Sequence, residues 1–186
     1  ARIIRNILEG AQFLHSHILW FYNLAGLDYV NPLNALKADP ADAMDLARAA
    51  GTSMNSDFVA LKEHLSQFAE NGQLSIFSGN WFDAEDGTGF KLPPELDLIC
   101  TAHYLEALGM QAKASQISAL LGGKMPHVMT LRPGGTAFVP TDQKLDDLKL
   151  LVDELYNWVE ATMIPDVLAI APYYADAFEY GKGPGR

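Results

Sequence analysis

Cysteine is almost missing from this sequence. Cys100 is the only one among 186 residues, so a disulfide bond within the chain is excluded. It lies inside an apolar stretch, which favours a small buried hydrophobic side chain over a nucleophile or a lone metal ligand. A site that requires several thiolates therefore cannot be assembled from this chain alone.

Positive charge and long apolar runs are also scarce. The chain has 13 Lys and Arg residues against 23 Asp and Glu, a formal net charge of -10, and no basic cluster. Nucleic acid is therefore excluded as a partner, because proteins that bind it present a basic face. The longest apolar runs are far shorter than the roughly 20 residues needed to cross a bilayer. With 49% hydrophobic and 19% charged residues, the composition is that of a globular protein.

An initiator methionine and a signal peptide are missing as well. The sequence opens on Ala1, already in helical register, and finishes with glycine-rich loop residues at 181–186. We therefore expect residues 1–186 to be a single helical segment of a larger protein.

The stretch that organises the chain is a predicted central helix over 93–121. Proline suits the first helical turn, where Pro93 and Pro94 stand, and the glycines at 122 and 123 favour a helix end. Apolar residues recur between them at helical spacing. A second long helix is predicted over 142–163, with Thr141 as its N-cap. We expect the two helices to pack together and to bury four leucines, which are Leu98, Leu105, Leu148 and Leu155.

The remaining patterns predict a mainly α fold, a long-helix bundle with a few short strands. Further helices are predicted at 2–24, from Asn31-Pro32, from Asp39-Pro40 to 50, and at 56–70. Residues 74–77 alternate as a short strand would, and 128–140 favours a two-stranded ribbon. The acidic residues 83–86 fall in a predicted exposed loop.

Two groups of residues invite a metal hypothesis. His15 and His17 are two apart and so do not share a helix face, which favours ordinary histidines. His103 and Glu106 do share a face, but metal-binding helix bundles use the reverse order, Glu-x-x-His, in two copies. A buried hydrogen-bonded pair is the better interpretation. No metal ligand and no catalytic residue is therefore assigned.

The glycine stop at 122–127 carries the strongest local signal. Lys124, Pro126 and His127 follow two glycines, so a lysine and a histidine are presented at the end of a rigid helix. We take these three residues as candidates for an interface or for a role in the surroundings of a cofactor. The alternative is a helix-stop loop in which His127 bonds only local backbone. It is not a phosphate loop, because the Walker spacing is missing.

Several short runs of residues, taken together and in their order along the chain, carry a family resemblance. They are ARIIRN at 1–6, HI at 17–18, FY at 21–22, LD at 27–28, LPPELDL at 92–98, TAHYLEAL at 101–108, GGKMPH at 122–127, PGG at 133–135 and IPDVL at 164–168. Together they cover essentially the whole chain. The set resembles the large subunit of nickel–iron hydrogenases, and the Gly-Gly-Lys-x-Pro-His run is its most specific part.

The resemblance implies an oxidoreductase that reversibly oxidises H2 to protons and electrons. It implies a nickel–iron centre bearing CO and cyanide in the parent subunit, and electron exit through iron–sulfur clusters in a partner small subunit. The 122–127 element would face that small subunit. Contact with a membrane would be indirect, through partner subunits, with a periplasmic or membrane-associated location and the cytoplasm as the alternative.

One departure from that family limits what the chain can do alone. The family holds its metals with two Cys-x-x-Cys pairs, and this sequence contains neither; Cys100 matches a position that is not a ligand there. A nickel–iron site requires soft thiolates. We therefore expect the parent protein to be an enzyme and the isolated 186-residue chain to be inactive, supplying scaffold and subunit interface.

Two alternatives stay open at this point. A quinone-site subunit of a respiratory complex shares the fold, and the Arg-Pro-Gly-Gly run at 132–135 resembles its turn. A non-catalytic helical scaffold or binding module would instead be a self-standing monomer. The hydrogenase reading predicts apolar surface left uncovered where the rest of the subunit and its partner belong.

Overall fold

The computed structural model describes residues 2–77 and 89–181. The predicted acidic loop at 83–86 and the end of the chain at 182–186 lie outside the described residues. Within them the chain is mainly helical with one two-stranded ribbon, which confirms the predicted fold class. No described helix is both long and apolar enough to cross a bilayer.

Seven α-helices and two short strands are found in the described residues. The helices are α1 Arg2–Leu19, α2 Pro32–Ala35, α3 Pro40–Ala50, α4 Phe58–Glu70, α5 Pro94–Gly122, α6 Asp142–Trp158 and α7 Ile164–Ile170. The strands are β1 Leu131–Arg132 and β2 Gly135–Thr136, paired antiparallel. Wider π-helical turns follow α1 and α6, at Trp20–Leu24 and Val159–Met163, and 3-10 turns occupy Ala25–Asp28, Ser75–Phe77 and Ala171–Glu179.

Helix ends follow the residue types that predict them. The side chains of Asn31, Asp39 and Thr141 accept hydrogen bonds from backbone N–H groups in the first turns of α2, α3 and α6, so each is an N-cap. Gly123 follows α5 with a φ of 84°, a left-handed conformation that glycine adopts without steric cost. The helices predicted over 93–121 and 142–163 are present with nearly these ends.

The chain forms two compact units, and α5 contributes to both. One unit comprises Ala1–Leu24 and Leu105–Glu160. In its core, Tyr22 of the π-helical turn after α1 packs against Trp158 of α6, with ring centroids 5.5 Å apart. Polar contacts add to this packing: the Trp158 indole N–H donates to Glu106 at 3.0 Å, and Lys113 pairs with Glu154 at 2.7 Å.

The other unit comprises Ala25–Tyr104 and Ala161–Arg186. The first half of α5 is its centre, because residues 96–103 are buried without interruption. Small residues of α2 and α3 allow close approach in this unit, and larger side chains of α4 complete the core. The buried members of those three helices are Ala35, Ala43, Ala47, Phe58, Leu61 and Leu65.

Three sequence predictions are wrong, one of a strand and two of buried leucines. Residues 75–77 form a 3-10 turn and not a strand, because the left-handed Gly72 ends α4 and the chain continues with hydrogen bonds from Ser75 N to Gly72 O and from Phe77 N to Leu74 O. Leu105 is 52% exposed and not buried.

The error at Leu105 has a geometric reason. The buried stripe of the second half of α5 runs through Ala107, Ala114 and Ile117, and a residue two positions from Ala107 points about 200° away from that stripe. Leu98 and Leu155 are buried as predicted, whereas Leu148 is only partly covered.

Candidate functional site

The loop after α5 is closed on itself by close backbone contacts. Gly123 N–H donates to the carbonyl of Ala119 at 2.8 Å, and Met129 N–H donates to the carbonyl of Gly122 at 2.9 Å. A Cβ atom at Gly122 would lie 2.5 Å from Val128 Cγ1, a distance that real Cβ atoms do not adopt. Glycine at 122 is therefore required for the loop to fold back on the helix end.

This closed loop presents the sequence-predicted residues to solvent. Lys124, Pro126 and His127 are all exposed, and His127 has a φ of 65°. Non-glycine residues adopt this left-handed region uncommonly, and such positions are concentrated at functional sites. Within residues 2–77 and 89–181, no hydrogen-bond or ion-pair partner is found for the side chains of Lys124 or His127. The alternative in which His127 bonds local backbone is thus not what the described residues show.

The chain around this loop has an unusual charge pattern. Residues 107–141 contain three basic side chains, Lys113, Lys124 and Arg132, and no carboxylate, in a chain of net charge -10. Lys113 is neutralised by Glu154, while Arg132 is exposed on β1. Met129 is 69% exposed beside them. The loop and ribbon thus expose two basic side chains, Lys124 and Arg132, and one apolar side chain, Met129, in a stretch that has no carboxylate.

The two N-terminal histidines do not converge. His17 Nδ1 donates to the carbonyl of Phe13 at 2.8 Å, as an ordinary helix-surface histidine does. His15 instead lines a cavity of about 220 Å³ within its unit. The other residues lining that cavity are Gln12, Ser16, Ser115, Ser118 and Met125.

His103 belongs to a buried polar cluster. Its Nδ1 lies 2.9 Å from both carboxylate oxygens of Asp166, and its Nε2 lies 3.1 Å from the carbonyl oxygen of Ser53. Thr52 Oγ1 donates to Asp166 at 2.9 Å. The predicted buried hydrogen bond of His103 thus exists, but its carboxylate partner is Asp166, and Glu106 accepts from Trp158. Sequence reasoning missed Asp166 because the contact joins residues 63 positions apart.

Asp97, in the first turn of α5, is a second buried carboxyl that sequence reasoning missed. It accepts hydrogen bonds of 2.8 Å from Asn31 N–H and from the Asn34 side chain. Burial raises the pKa of Asp97 to about 7, although these two hydrogen bonds and the charge of Lys37 act in the opposite direction. This carboxyl therefore changes charge near neutral pH.

Metal-binding groups are dispersed in the described part of the chain. Residues 2–77 and 89–181 contain no cluster of three or more His, Cys, Asp or Glu side chains placed to hold one metal ion. Burial, together with the nearby Asp166 and Asp97, raises the pKa of Cys100 well above its usual range. Its thiol is therefore protonated in the metal-free chain, and a single cysteine does not supply the several thiolates that a nickel–iron site requires.

The sequence matches known proteins over its full length. The family model for nickel-dependent hydrogenases matches residues 1–186. The Hydrogenase-2 large chain of Escherichia coli K12 is 37% identical over 98% of this chain and 34% of its own length. The uptake hydrogenase large subunit of Afipia carboxidovorans is 36% identical over 98% of this chain and 32% of its own length.

The fold gives the same result. A chain of the Ni-Fe-Se hydrogenase from Desulfovibrio vulgaris Hildenborough, in the as-isolated oxidized state, superposes with a TM-score of 0.67 and 26% identity. The superposition covers 98% of this chain and 29% of that one. The chain thus spans about a third of the length of the relatives it matches.

Proposed function

Because this chain belongs to the nickel-dependent hydrogenase family, we propose that it is a segment of a large subunit that takes part in the reversible oxidation of H2 to protons and electrons. The observation that carries the proposal is the family match over residues 1–186, together with curated large chains at 34–37% identity. The family assignment does not favour the quinone-site alternative.

A nickel–iron centre bearing CO and cyanide does not fit the residues of this segment. Such a centre requires soft thiolate ligands. The chain has one cysteine, Cys100, and its buried thiol is protonated. The role proposed for the segment is therefore scaffold and subunit interface, and the ligands of the metals would come from elsewhere in the parent subunit.

The interface part of the proposal concerns Lys124, Pro126 and His127. These residues are exposed on a loop held rigidly to the end of α5, and they lie within a stretch that has no carboxylate. We propose that this surface contacts the small subunit near one of its iron–sulfur clusters. An imidazole N–H that donates a hydrogen bond to a cluster sulfur would shift the reduction potential of that cluster, because such hydrogen bonds help to set it.

Exposed apolar side chains are expected for a segment that other parts of a larger assembly cover. Large hydrophobic side chains are exposed on α1, α6 and α7, far from the 122–127 loop in sequence. Those exposed by more than half are Ile3, Phe13, Leu150, Tyr156 and Leu168. We propose that the remainder of the large subunit and its partner cover them, with a periplasmic or membrane-associated location set by partner subunits.

Replacing His127 in the complete enzyme tests the interface proposal. We expect His127→Ala to leave nickel content nearly intact, because no metal ligand is removed, and to slow electron exit or shift the potential of the nearest cluster. His64→Ala is the matched control, since His64 is an exposed histidine stacked on Phe68 of α4. Unchanged electron transfer with a lower melting temperature would reduce His127 to a structural role.

A further inference from the structure

The contacts of His103, which is buried in the second unit, indicate its protonation state. His103 and Asp166 are both fully buried, with 0% of either side chain exposed. The contacts of the His103 ring come from two separate parts of the chain: Asp166 in α7 and Ser53 in the turn after α3. Neither contact depends on a residue used in the proposed function.

The nature of the two contacting atoms constrains where the protons are. The Ser53 carbonyl oxygen can only accept, so His103 Nε2 must carry a hydrogen to make its 3.1 Å contact. On the other side, Nδ1 faces two oxygens of one carboxyl group at 2.9 Å. A proton must therefore lie between Nδ1 and Asp166, held by one or the other.

The surroundings of Asp166 favour the proton on the imidazole. Thr52 Oγ1, at 2.9 Å, donates to the carboxylate and so stabilises its ionised form. The turn that supplies Thr52 and Ser53 brings no ionisable group to the pair. On α5, burial and the nearby Asp166 and Asp97 raise the pKa of Cys100, so its thiol is neutral.

We infer that His103 is held as a doubly protonated imidazolium in a buried ion pair with Asp166, and that this pair is a latch fastening the 52–53 turn and the start of α7 to α5. Both ring nitrogens act as donors, to two segments distant in sequence. Removing the ring proton would take the positive charge away from a buried carboxylate, which is costly. Breaking the ion pair should therefore loosen the 52–53 turn and the start of α7 together.

Nitrogen-15 NMR of the histidine rings in the full 186-residue chain tests this inference directly. At about pH 7.5, a unit above the usual histidine value of about 6.5, exposed histidines are mostly neutral. A free imidazole at this pH has one protonated and one unprotonated ring nitrogen, and that pattern is the reference for the His103 signals. We expect His103, assigned by its loss in His103→Gln, to show two protonated nitrogens.

Two variants, each of which neutralises one buried carboxyl, provide the comparison. Asp166→Asn should convert the His103 ring to the neutral form with the hydrogen on Nε2, and should accelerate amide hydrogen exchange around residues 52–55. Asp97→Asn also neutralises a buried carboxyl, but one that does not bond the ring, and should leave both ring protons in place.

The wild-type spectrum decides the question even if a variant fails to fold. Two protonated nitrogens at His103 support the imidazolium. An unprotonated Nδ1 at the same pH would place the proton on Asp166, or remove it, and would overturn the inference.

Discussion

Asp97 is the residue whose environment has the clearest consequence for stability. Its carboxyl is fully buried and has a pKa of about 7 in the folded chain, against about 3.9 for an unfolded aspartate. Between these values the folded state holds a proton that the unfolded state has released. The free energy of unfolding should therefore fall as pH rises from about 4 to about 7, by roughly 4 kcal/mol at most for this group.

Denaturant unfolding of Asp97→Asn and of the wild-type chain checks this expectation. The hydrogen bond from Asn31 N–H can be kept by the new amide oxygen, while the contact with Asn34 must rearrange. The absolute stability will therefore change as well, and the diagnostic quantity is the difference between about pH 5 and about pH 8. We expect that difference to shrink in the variant. Parallel curves for the two proteins would show that Asp97 does not titrate in this range.

Gly122 has no room for a side chain because Val128 lies close to it. Ala at 122 would place a Cβ 2.5 Å from Val128 Cγ1, whereas a Cβ at Gly109, inside the same helix, would meet nothing within 4 Å. Both substitutions gain helix propensity, up to about 1 kcal/mol. The difference between them therefore isolates the steric cost, for which we expect about 1–3 kcal/mol.

Thermal or denaturant unfolding of Gly122→Ala and Gly109→Ala measures that difference. Gly109→Ala should be at least as stable as the wild type, and Gly122→Ala less stable than Gly109→Ala. Equal stabilities would mean that Val128 moves aside without cost and that the loop is less tightly closed on the helix than its contacts indicate.

At the scale of elements, α5 and α6 share one core in their unit, and two leucines distinguish its inside from its outside. Leu155 on α6 is 0% exposed and Leu105 on α5 is 52% exposed. Leu155→Ala should cost about 2–5 kcal/mol of unfolding free energy, because it leaves a cavity in a packed core. Leu105→Ala should change it by about 0.5 kcal/mol or less in the isolated chain. A larger loss at Leu105 than at Leu155 would contradict the assigned burial.

Local chemistry made many of these elements predictable. Caps such as Asn31, Asp39 and Thr141 and the glycine stop after α5 act through groups a few residues away, so they are visible in the sequence. The alternation at 74–77 was misleading, because four residues satisfy a strand and a helical turn equally well.

The partners of buried polar groups were not predictable in the same way. Asp166 and His103 are 63 positions apart, and Asn31 and Asp97 are 66 apart. Such pairs depend on how the helices pack, which helical spacing does not specify. The face of α5 that is buried was ambiguous for a related reason: its apolar residues surround the helix, and its buried stripe in the second half is built on alanines.

At the scale of the whole molecule, the chain combines a family match over its full length with a single, buried cysteine. It spans about a third of the relatives it matches. The sequence predicts the 122–127 loop as a candidate site because its Gly-Gly-Lys-x-Pro-His run is the most specific part of the family resemblance. The structure adds that the loop is exposed and that His127 has a left-handed backbone conformation. Its role at a subunit interface stays a prediction that the His127→Ala enzyme tests.

This segment belongs to the nickel-dependent hydrogenase family, and we propose that it contributes scaffold and interface without metal ligands. Nickel and iron content of the isolated 186-residue chain, measured by elemental analysis beside infrared spectra of bound CO and cyanide, tests it most directly. We predict far less than one nickel per chain and no CO or cyanide bands, because the chain has one protonated thiol and no set of thiolates. A full complement of nickel in the isolated chain would contradict the account and would direct attention to His15, His17, His103 and Glu106.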